Sequence, residues 1–238
     1  LVSVGEMLQK EIQHIVHNSI GESVAKESLT EPQIFFAIKE LVGDLFLSNS
    51  MPIRDADSFL YGAEDLNEVG ANRGASGIDG VVSSAVGFSA GLASDLTKKS
   101  KPTTLVIGDV ATVHDLSAIR LLKSLVVIVV NNDGGGIFNF LPIAKHGEEV
   151  EFEKFFGTPT NDIDFKKVTE GLGVSYASVS SYSSLKMEYR RAMESGGGVL
   201  IEANVVGVGK GERGKNVDIS REINAETKII VRQELARR

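Results

Sequence analysis

Two apolar runs joined by a helical segment constrain the fold of this chain more than any other feature. The runs cover residues 104–107 and 125–130, and both are rich in β-branched residues with no polar alternation. Strands of this kind are buried on both faces, as in a parallel sheet, and parallel neighbours need a crossover between them. The intervening segment places four apolar residues on one helical face: Val113, Leu116, Ile119 and Leu122. The sequence therefore predicts an α/β fold, with a parallel sheet flanked by helices on both faces.

Polar residues follow each apolar run at the point where the strand should end. Asp109 comes after the first run, and residues 131–136 (Asn-Asn-Asp-Gly-Gly-Gly) come after the second. Ligands of open parallel sheets bind beyond the carboxyl ends of the strands, and Mg²⁺ prefers carboxylates, neutral oxygens and substrate phosphates. These residues therefore predict a site for Mg²⁺ and a phosphate group. An ordinary turn remains the alternative, because Asn-Asp-Gly tolerates positive φ.

Length and composition limit the classes of protein to which the chain can belong. Its 238 residues suffice for one buried α/β domain, predicted at residues 30–206. Residues 1–29 are predicted to end a preceding central domain or linker, and residues 207–238 to form a linker and tail. A net charge of −7 argues against a nucleic-acid or anionic-membrane partner, and no apolar run reaches membrane-spanning length. The absence of cysteine excludes disulfides and thiolate metal sites.

Further elements are predicted on both sides of this centre. Thr30 and Gln33 form a capping box for a helix. Residues 45–47 form a short buried strand, after which Asn49 and Ser50 can donate hydrogen bonds and Arg54 can hold a carboxylate. The C-terminal half adds a helix at 164–172, a strand at 176–179, a helix capped by Ser183 or Ser184, and a strand at 199–206. His14 and His17 lie one helical turn apart and are interpreted as a solvated helix face.

A glycine-rich loop at residues 72–80 leads into a helix at 81–96 that is rich in small residues. The glycines at 74, 77 and 80 have some likeness to a dinucleotide fingerprint, so an NAD-binding oxidoreductase is one hypothesis. The likeness is weak, because residues 62–70 before the loop are acidic and polar instead of forming a buried strand. The small residues of the helix indicate a tight packing face or a subunit contact.

Four segments together resemble the thiamine diphosphate (ThDP) enzymes. They are SNSMPIRDAD at 48–57, NRGASGIDG at 72–80, the GD–NN pair, and NNDGGGIFNFLP at 131–142. Within that family they are similar to the 2-succinyl-5-enolpyruvyl-6-hydroxy-3-cyclohexene-1-carboxylate synthases (MenD) of menaquinone and phylloquinone biosynthesis. RDAD and LPIAK resemble the plant form, a module of the multifunctional PHYLLO protein. The resemblance covers about residues 30–205, the diphosphate-binding domain of the family.

The resemblance implies a role for eleven residues. For the cofactor, Asp109, Asn132 and the carbonyl of Gly134 would coordinate Mg²⁺, and Ile78 would hold ThDP in its bent conformation. For the substrates, the implied pocket is polar on one side and apolar on the other, with Asn49, Ser50, Arg54 and Arg73 facing Ile137, Phe138 and Leu141. Both family substrates, 2-oxoglutarate and isochorismate, are dicarboxylates, so two arginines in a partly dry cleft would be fitting counter-charges.

The implied activity is decarboxylation of 2-oxoglutarate and addition of the succinyl carbanion to isochorismate. The resemblance also implies a homo-oligomer, and a plastid location for the plant form or a cytoplasmic one otherwise. The family's catalytic glutamate belongs to a pyrimidine-binding domain that nothing in this sequence matches, so the chain is expected to hold half an active site and to be inactive alone. Asp109 and Asn132 are 23 positions apart, which is shorter than the family usually shows. This shortening favours a second hypothesis, a non-catalytic remnant that acts only in subunit association.

Overall fold

A computed structural model describes His14, Asn18 and residues 28–94, 101–147, 149–158 and 163–205. Its centre is a sheet of six parallel strands in the order β2-β1-β3-β4-β6-β5. The strands are β1 (Leu45–Leu47), β2 (Val69–Ala71), β3 (Thr103–Gly108), β4 (Leu125–Asn131), β5 (Ser175–Val179) and β6 (Val199–Asn204). All five pairings between neighbours are parallel, and Gly108 at the end of β3 is in register with Val130 of β4.

Helices connect the strands and cover both faces of the sheet. The α-helices are α1 (Glu31–Ile38), α2 (Met51–Phe59), α3 (Val81–Ala93), α4 (Asp109–His114), α5 (Phe152–Phe156), α6 (Phe165–Gly171) and α7 (Tyr182–Glu194). Among the described residues, three 3₁₀ helices occupy Leu116–Leu121, Ile137–Phe140 and Pro142–His146. The predicted α/β fold with a parallel sheet and helices on both faces is confirmed.

Two hydrophobic clusters form the core, one on each face of the sheet. Alternate residues of a strand point to opposite faces, so Val126 and Ile128 of β4 join one cluster while Val127 and Val129 join the other. The first cluster is closed by α1, α2 and α7, and the second by α3, the 3₁₀ helix after α4, and α6. Strands buried from both sides explain why the runs at 104–107 and 125–130 have no charged residue and only one hydroxyl, that of Thr104.

The crossover from β3 to β4 differs from the continuous helix that its apolar pattern predicts. It begins as α4, a six-residue α-helix, and continues as a six-residue 3₁₀ helix, Leu116–Leu121. A 3₁₀ helix rises about 2.0 Å per residue against about 1.5 Å for an α-helix, so it covers more distance with fewer residues. The short link between Asp109 and Asn132 is therefore accommodated while both strands keep their register.

Two smaller predictions are also corrected. A strand, β2, does precede the glycine-rich loop, but it has three residues, lies at the edge of the sheet and leaves Val69 exposed. The N-cap of α7 is Ser181, whose hydroxyl accepts from the backbone N–H of Ser184, instead of Ser183 or Ser184 itself. At α1 the prediction holds in part: the Thr30 N–H donates to Oε1 of Gln33 at 2.9 Å, while the Thr30 hydroxyl has no hydrogen-bond partner.

Several predictions concern residues that the structure describes only sparsely. The segments 1–27, apart from His14 and Asn18, and 206–238 lie outside the described residues, so the predictions for both ends of the chain stay predictions. His14 is exposed, His17 lies outside the described residues, and no group of three His, Asp or Glu side chains within the described ranges is placed to hold a metal ion. None of the described helices has the length and apolar character needed to cross a bilayer.

Candidate functional site

A cavity of about 240 Å³ opens at the carboxyl edge of the sheet. The chain leaves β1 towards one edge of the sheet and β3 towards the other, so the crevice between these two strands is the topological switch point where α/β folds bind ligands. Segments that follow β1, β3 and β4 all reach this cavity. Eight of the eleven site residues predicted from the sequence line it: Asn49, Ser50, Ile78, Asp109, Asn132, Gly134, Ile137 and Phe138.

Asp109 is buried at the start of α4, immediately after β3. Its Oδ1 accepts from the backbone N–H of Val110 and its Oδ2 from that of Gly134, both at 2.7 Å. Burial raises the pKa of the Asp109 carboxyl to about 7, and these two N–H donors act in the opposite direction. The nearby charges of Glu31 and Asp133 raise the pKa further. A cation in this cavity would stabilise the ionised carboxylate against both burial and its acidic neighbours.

Asn132 presents an amide oxygen without a partner. Its Nδ2 donates to Oε1 of Glu31 at 2.8 Å, while its Oδ1 is shielded from solvent and has no hydrogen-bond partner. Leaving a buried polar atom unsatisfied costs about 1–3 kcal/mol, and such an atom in a folded protein calls for an explanation such as an ion. Asn132 and Asp109 line the same cavity.

The preceding asparagine has a different environment. Asn131 donates its Nδ2 to Oε1 of Glu202 at 2.6 Å, and its Oδ1 accepts from the backbone N–H of Asp133 at 3.0 Å. The second carboxylate oxygen of Glu202 accepts from the hydroxyl of Tyr176. Asn131 therefore builds the turn after β4, in which Asp133 has a φ of 64°.

The glycine stretch after this turn approaches both Asp109 and the loop at Thr158. Gly134 has a φ of 123°, a backbone conformation that residues other than glycine rarely adopt. Gly135 donates its N–H to the carbonyl of Thr158 at 3.0 Å, and a Cβ on Gly135 would lie 3.2 Å from the Thr158 hydroxyl. These contacts hold bare backbone against the cavity, where a phosphate or a metal ion can approach closely.

Two buried carboxyls at the cavity escaped the sequence analysis. Glu31, at the start of α1, and Asp55, in α2, both line the cavity and share a hydrogen bond. Burial raises the pKa of Asp55 well above its ordinary value, and the charge of Glu31 adds to the effect. Burial also raises the pKa of Glu31, whereas its hydrogen bonds from Asn132 and Asp55 lower it. Two carboxyl groups that share a hydrogen bond must hold a proton between them, and the pKa of Asp55 is the one raised well above its ordinary value.

The predicted polar residues after β1 are linked to the glycine-rich loop. Asn49 donates its Nδ2 to the carbonyl of Gly77 at 2.5 Å and accepts from Nη1 of Arg73 at 2.9 Å. Ser50 has a φ of 71° at the N-cap of α2, and its carbonyl accepts from Nη1 of Arg54. A non-glycine residue with positive φ is uncommon, and such backbone strain clusters at functional sites.

Three predicted substrate residues lie outside the main cavity. Arg54 and Leu141 line an adjoining cavity of about 420 Å³, which shares Met51, Asp55 and Ile137 with the first. Arg73 lies on the exposed loop and reaches the site through Asn49. Both arginines are exposed, so the partly dry cleft expected around them is not formed by the described residues. Phe138 and Leu141 are also exposed, at 42% and 44%.

The donor set fits a hard divalent cation. It combines one buried carboxylate at Asp109, one unpartnered amide oxygen at Asn132 and the glycine backbone at Gly134, all oxygen donors of the kind that Mg²⁺ selects. Mg²⁺ binds through one or two carboxylates plus substrate phosphates and keeps its remaining positions for water or other oxygens. The cavity at the switch point provides room beside these donors for a phosphate group.

This fold and this edge cavity define a cofactor-binding α/β domain, and comparison with known proteins identifies its class. The family model "Thiamine pyrophosphate enzyme, C-terminal TPP binding domain" matches residues 67–203, more than half of the chain. The chain belongs to this family.

Its relatives narrow the identification. The 2-succinyl-5-enolpyruvyl-6-hydroxy-3-cyclohexene-1-carboxylate synthase of Rubrobacter xylanophilus is 39% identical over 203 residues, which cover 83% of this chain and 33% of the relative. The synthase of the same name from Chlorobium limicola is 42% identical over 189 residues, 76% of this chain and 29% of the relative. The resemblance to MenD predicted from the sequence motifs is confirmed. The chain spans about a third of the length of these curated relatives.

A solved structure supports the fold independently. It is the X-ray structure of a protein isolated from Mycobacterium smegmatis and described as a "putative thiamin diphosphate-dependent enzyme". It superposes on this chain with a TM-score of 0.58 at 18% sequence identity. The matched region covers 74% of this chain and 32% of the M. smegmatis chain. At this identity the likeness concerns the fold.

Proposed function

We propose that the chain binds the diphosphate of ThDP together with Mg²⁺, as the cofactor-binding part of a MenD-like synthase. The observation that carries the proposal is the unpartnered Oδ1 of Asn132, buried in the same cavity as the Asp109 carboxyl. Asp109, Asn132 and Gly134 would hold the cation, and Ile78, which lines the same cavity, would support the cofactor. When bound, ThDP supplies the carbanion-stabilising chemistry by which 2-oxo acids lose CO₂.

The substrates follow from the same relationship. We infer that the synthase decarboxylates 2-oxoglutarate and transfers the succinyl unit to isochorismate, with Asn49, Ser50, Arg54 and Arg73 on the polar side of the pocket. Arg73 is held by Asn49, and Arg54 by the carbonyl of Ser50, so both guanidinium groups are oriented before a substrate arrives. Charge-assisted bonds from such groups contribute about 1.5–3 kcal/mol each. Ile137, Phe138 and Leu141 would form the apolar wall.

Completion of the active site requires a group that the described residues do not supply. In this proposal a pyrimidine-binding domain or chain contributes the glutamate that activates the cofactor, and it also covers the exposed arginines. The 238-residue chain alone is then expected to bind the cofactor but to release no CO₂ from 2-oxoglutarate. The homo-oligomeric state, and the plastid location implied by the plant-like motifs, stay predictions.

Calorimetry with the full chain tests the cofactor assignment. ThDP should give binding heat with Mg²⁺ present and little without it, because the cation neutralises the diphosphate beside Asp109. Thiamine without phosphates is the matched control ligand and should bind much more weakly under both conditions. Equal binding of thiamine and ThDP, or binding indifferent to Mg²⁺, would contradict the proposal.

The second candidate function is subunit association without catalysis. It is favoured by the outer face of α3, where Ser83, Gly87, Ala90 and Gly91 are exposed and small. A Cβ on Gly87 or Gly91 would meet no atom within 4 Å, so another backbone could approach closely there. Analytical ultracentrifugation separates the candidates: a dimer that Gly87→Leu dissociates, together with no ThDP heat, would support association alone.

A further inference from the structure

We propose that Glu31 is a positioning residue for the divalent cation, because it selects which atom of the Asn132 amide faces the cavity. The inference rests on the proposed cofactor function. Glu31 does not need to touch the ion in this role. It accepts the hydrogen bond from Nδ2 of Asn132 at 2.8 Å and thereby leaves Oδ1 for the cation.

The chemistry of a carboxamide makes such a selection necessary. The two ends of the amide have nearly the same shape, but Oδ1 accepts and Nδ2 only donates. Rotation by half a turn would present N–H groups to a cation, which repel it. An acceptor fixed beside one end prevents this rotation, and the carboxylate of Glu31 is such an acceptor.

Glu31 is itself held in place from the other side. It lies 5% exposed in the first turn of α1, and the Asp55 carboxyl in α2 shares a hydrogen bond with it. The chain of contacts therefore runs from Asp55 through Glu31 to Asn132 and ends at the unpartnered oxygen. Groups that orient metal ligands in this way typically change metal affinity about 10–100-fold when they are removed.

The neighbouring Asn131 shows what the same arrangement does without a metal. There Glu202 accepts from Nδ2, and the amide oxygen is used by the backbone N–H of Asp133. In both asparagines a glutamate fixes the nitrogen end of the amide, but only Asn132 leaves its oxygen without a protein partner. This contrast indicates that Oδ1 of Asn132 serves a ligand from outside the chain and that Glu31 orients the amide for that ligand.

Two substitutions at position 31 and one nearby control test the inference. Glu31→Gln keeps an oxygen that accepts from Asn132 and offers its NH₂ group to Asp55. Glu31→Leu keeps the volume but removes the acceptor. Gln33→Leu is the control, because Gln33 is also buried in the first turn of α1 and its Oε1 accepts from the backbone N–H of Thr30. The Gln33→Leu substitution should lower the unfolding temperature but leave the hydrogen bond between Asn132 and Glu31 unchanged.

The readout is Mn²⁺ binding by the full chain in the presence of ThDP, followed by the loss of the free-ion signal in electron paramagnetic resonance. We expect the dissociation constant for Mn²⁺ to rise about 10-fold or more in Glu31→Leu. It should stay within about 2-fold of wild type in Glu31→Gln and Gln33→Leu. An unchanged constant in Glu31→Leu overturns the inference, and so does an equal rise in Glu31→Gln or in Gln33→Leu.

A second measurement keeps this inference separate from the proposed function. In the metal-free chain, nuclear magnetic resonance should show a slowly exchanging side-chain NH₂ of Asn132 in wild type and Glu31→Gln, and a rapidly exchanging one in Glu31→Leu. If wild type binds no Mn²⁺ but shows this pattern, the cofactor function fails while Glu31 still orients the amide. Rapid exchange in wild type overturns the orienting role itself.

Discussion

The backbone N–H of Gly134 donates to Oδ2 of Asp109 at 2.7 Å, which ties the end of β3 to the loop that follows β4. This bond joins the two strand ends that were predicted to form the site. The separation of Asp109 and Asn132 in the sequence is short for the family, and this shortening is the reason for the alternative hypothesis of a non-catalytic remnant. The register of β3 and β4, with Gly108 opposite Val130, brings both residues to one cavity in spite of the short crossover.

Asp109→Asn should abolish the stabilisation of the chain by Mg²⁺ and ThDP, because the cation loses its only anionic ligand in the predicted set. A ligand at 100 times its dissociation constant stabilises a protein by about 2.7 kcal/mol, which raises the unfolding temperature of a chain of this size by about 5–11 °C. Differential scanning fluorimetry with and without both ligands measures this shift. Asp57 is exposed in the RDAD motif, so Asp57→Asn should retain the shift in unfolding temperature. A full shift in Asp109→Asn would refute the assignment of Asp109 as a ligand of the cation.

The metal-free chain should lose stability as the pH rises, in part through Asp55. Burial and the charge of Glu31 raise the pKa of Asp55 in the folded chain, so the folded state holds its proton where the unfolded state has released it. The contribution of Asp55 to the free energy of unfolding is therefore full below the ordinary aspartate pKa of about 3.9. It declines as the pH rises towards the raised pKa of Asp55 in the folded chain.

We expect the unfolding temperature to fall less steeply from pH 5 to pH 8 in Asp55→Asn, which keeps an N–H donor for Glu31. Asp57→Asn should follow the wild-type curve, because Asp57 is exposed. Parallel curves for Asp55→Asn and wild type would show that Asp55 ionises normally.

A buried hydrogen bond between β3 and α7 should contribute to stability. The hydroxyls of Thr104 and Tyr189 lie 2.7 Å apart, and both residues are fully buried. Thr104→Val would leave the tyrosine hydroxyl without this partner and should cost about 1–3 kcal/mol in urea unfolding. The double variant with Tyr189→Phe should cost less than the two single variants together, since neither polar group is then left alone. Strict additivity would mean that the two hydroxyls do not interact.

The triple glycine at residues 196–198 should tolerate no side chain at its centre. Gly197 has a φ of 89°, and a Cβ there would lie 2.8 Å from the backbone carbon of Ser124. Gly197→Ala should cost about 1–3 kcal/mol for the backbone conformation, and the clash adds to this. Gly171→Ala at the end of α6 is the matched control, because a Cβ there meets nothing within 4 Å. It should be neutral or stabilising in the same urea experiment.

The sequence predicts the central strands well because burial from both sides leaves a continuous apolar signal. β3 and β4 are found within one residue of their predicted ends, and so are the polar residues that follow them. β2 escaped prediction because it is short and sits at the exposed edge. Glycine is required at position 70 in this strand because a Cβ there would lie 2.7 Å from the ring of Phe46. Phe46 is distant in the sequence, so the sequence around Gly70 does not reveal this contact.

Glu31 and Asp55 could not be recognised as site residues from sequence for a related reason. Each stands at the beginning or on the face of an ordinary helix, where an acidic residue is expected on local grounds. Their proximity arises only when α1 and α2 pack on the same side of the sheet, 24 residues apart in the chain. The capping residue Thr30 marks where α1 begins but carries no information about what the first residue of the helix, Glu31, will contact.

The end of β4 gives the two consecutive asparagines separate tasks, because Asn131 is the last residue of the strand and Asn132 is the first residue after it. Asn131 points towards Glu202 and Tyr176 on one side of the sheet, and Asn132 points towards Glu31 on the other. Inserting or deleting a single residue within β4 would exchange the positions of the two amides. The turn would then lose the hydrogen bond that Asn131 accepts from Asp133, and the proposed ion would lose Oδ1 of Asn132 as a ligand. Two chemically identical neighbours are therefore not interchangeable, and the length of this strand is as much a part of the site as the residues at its end.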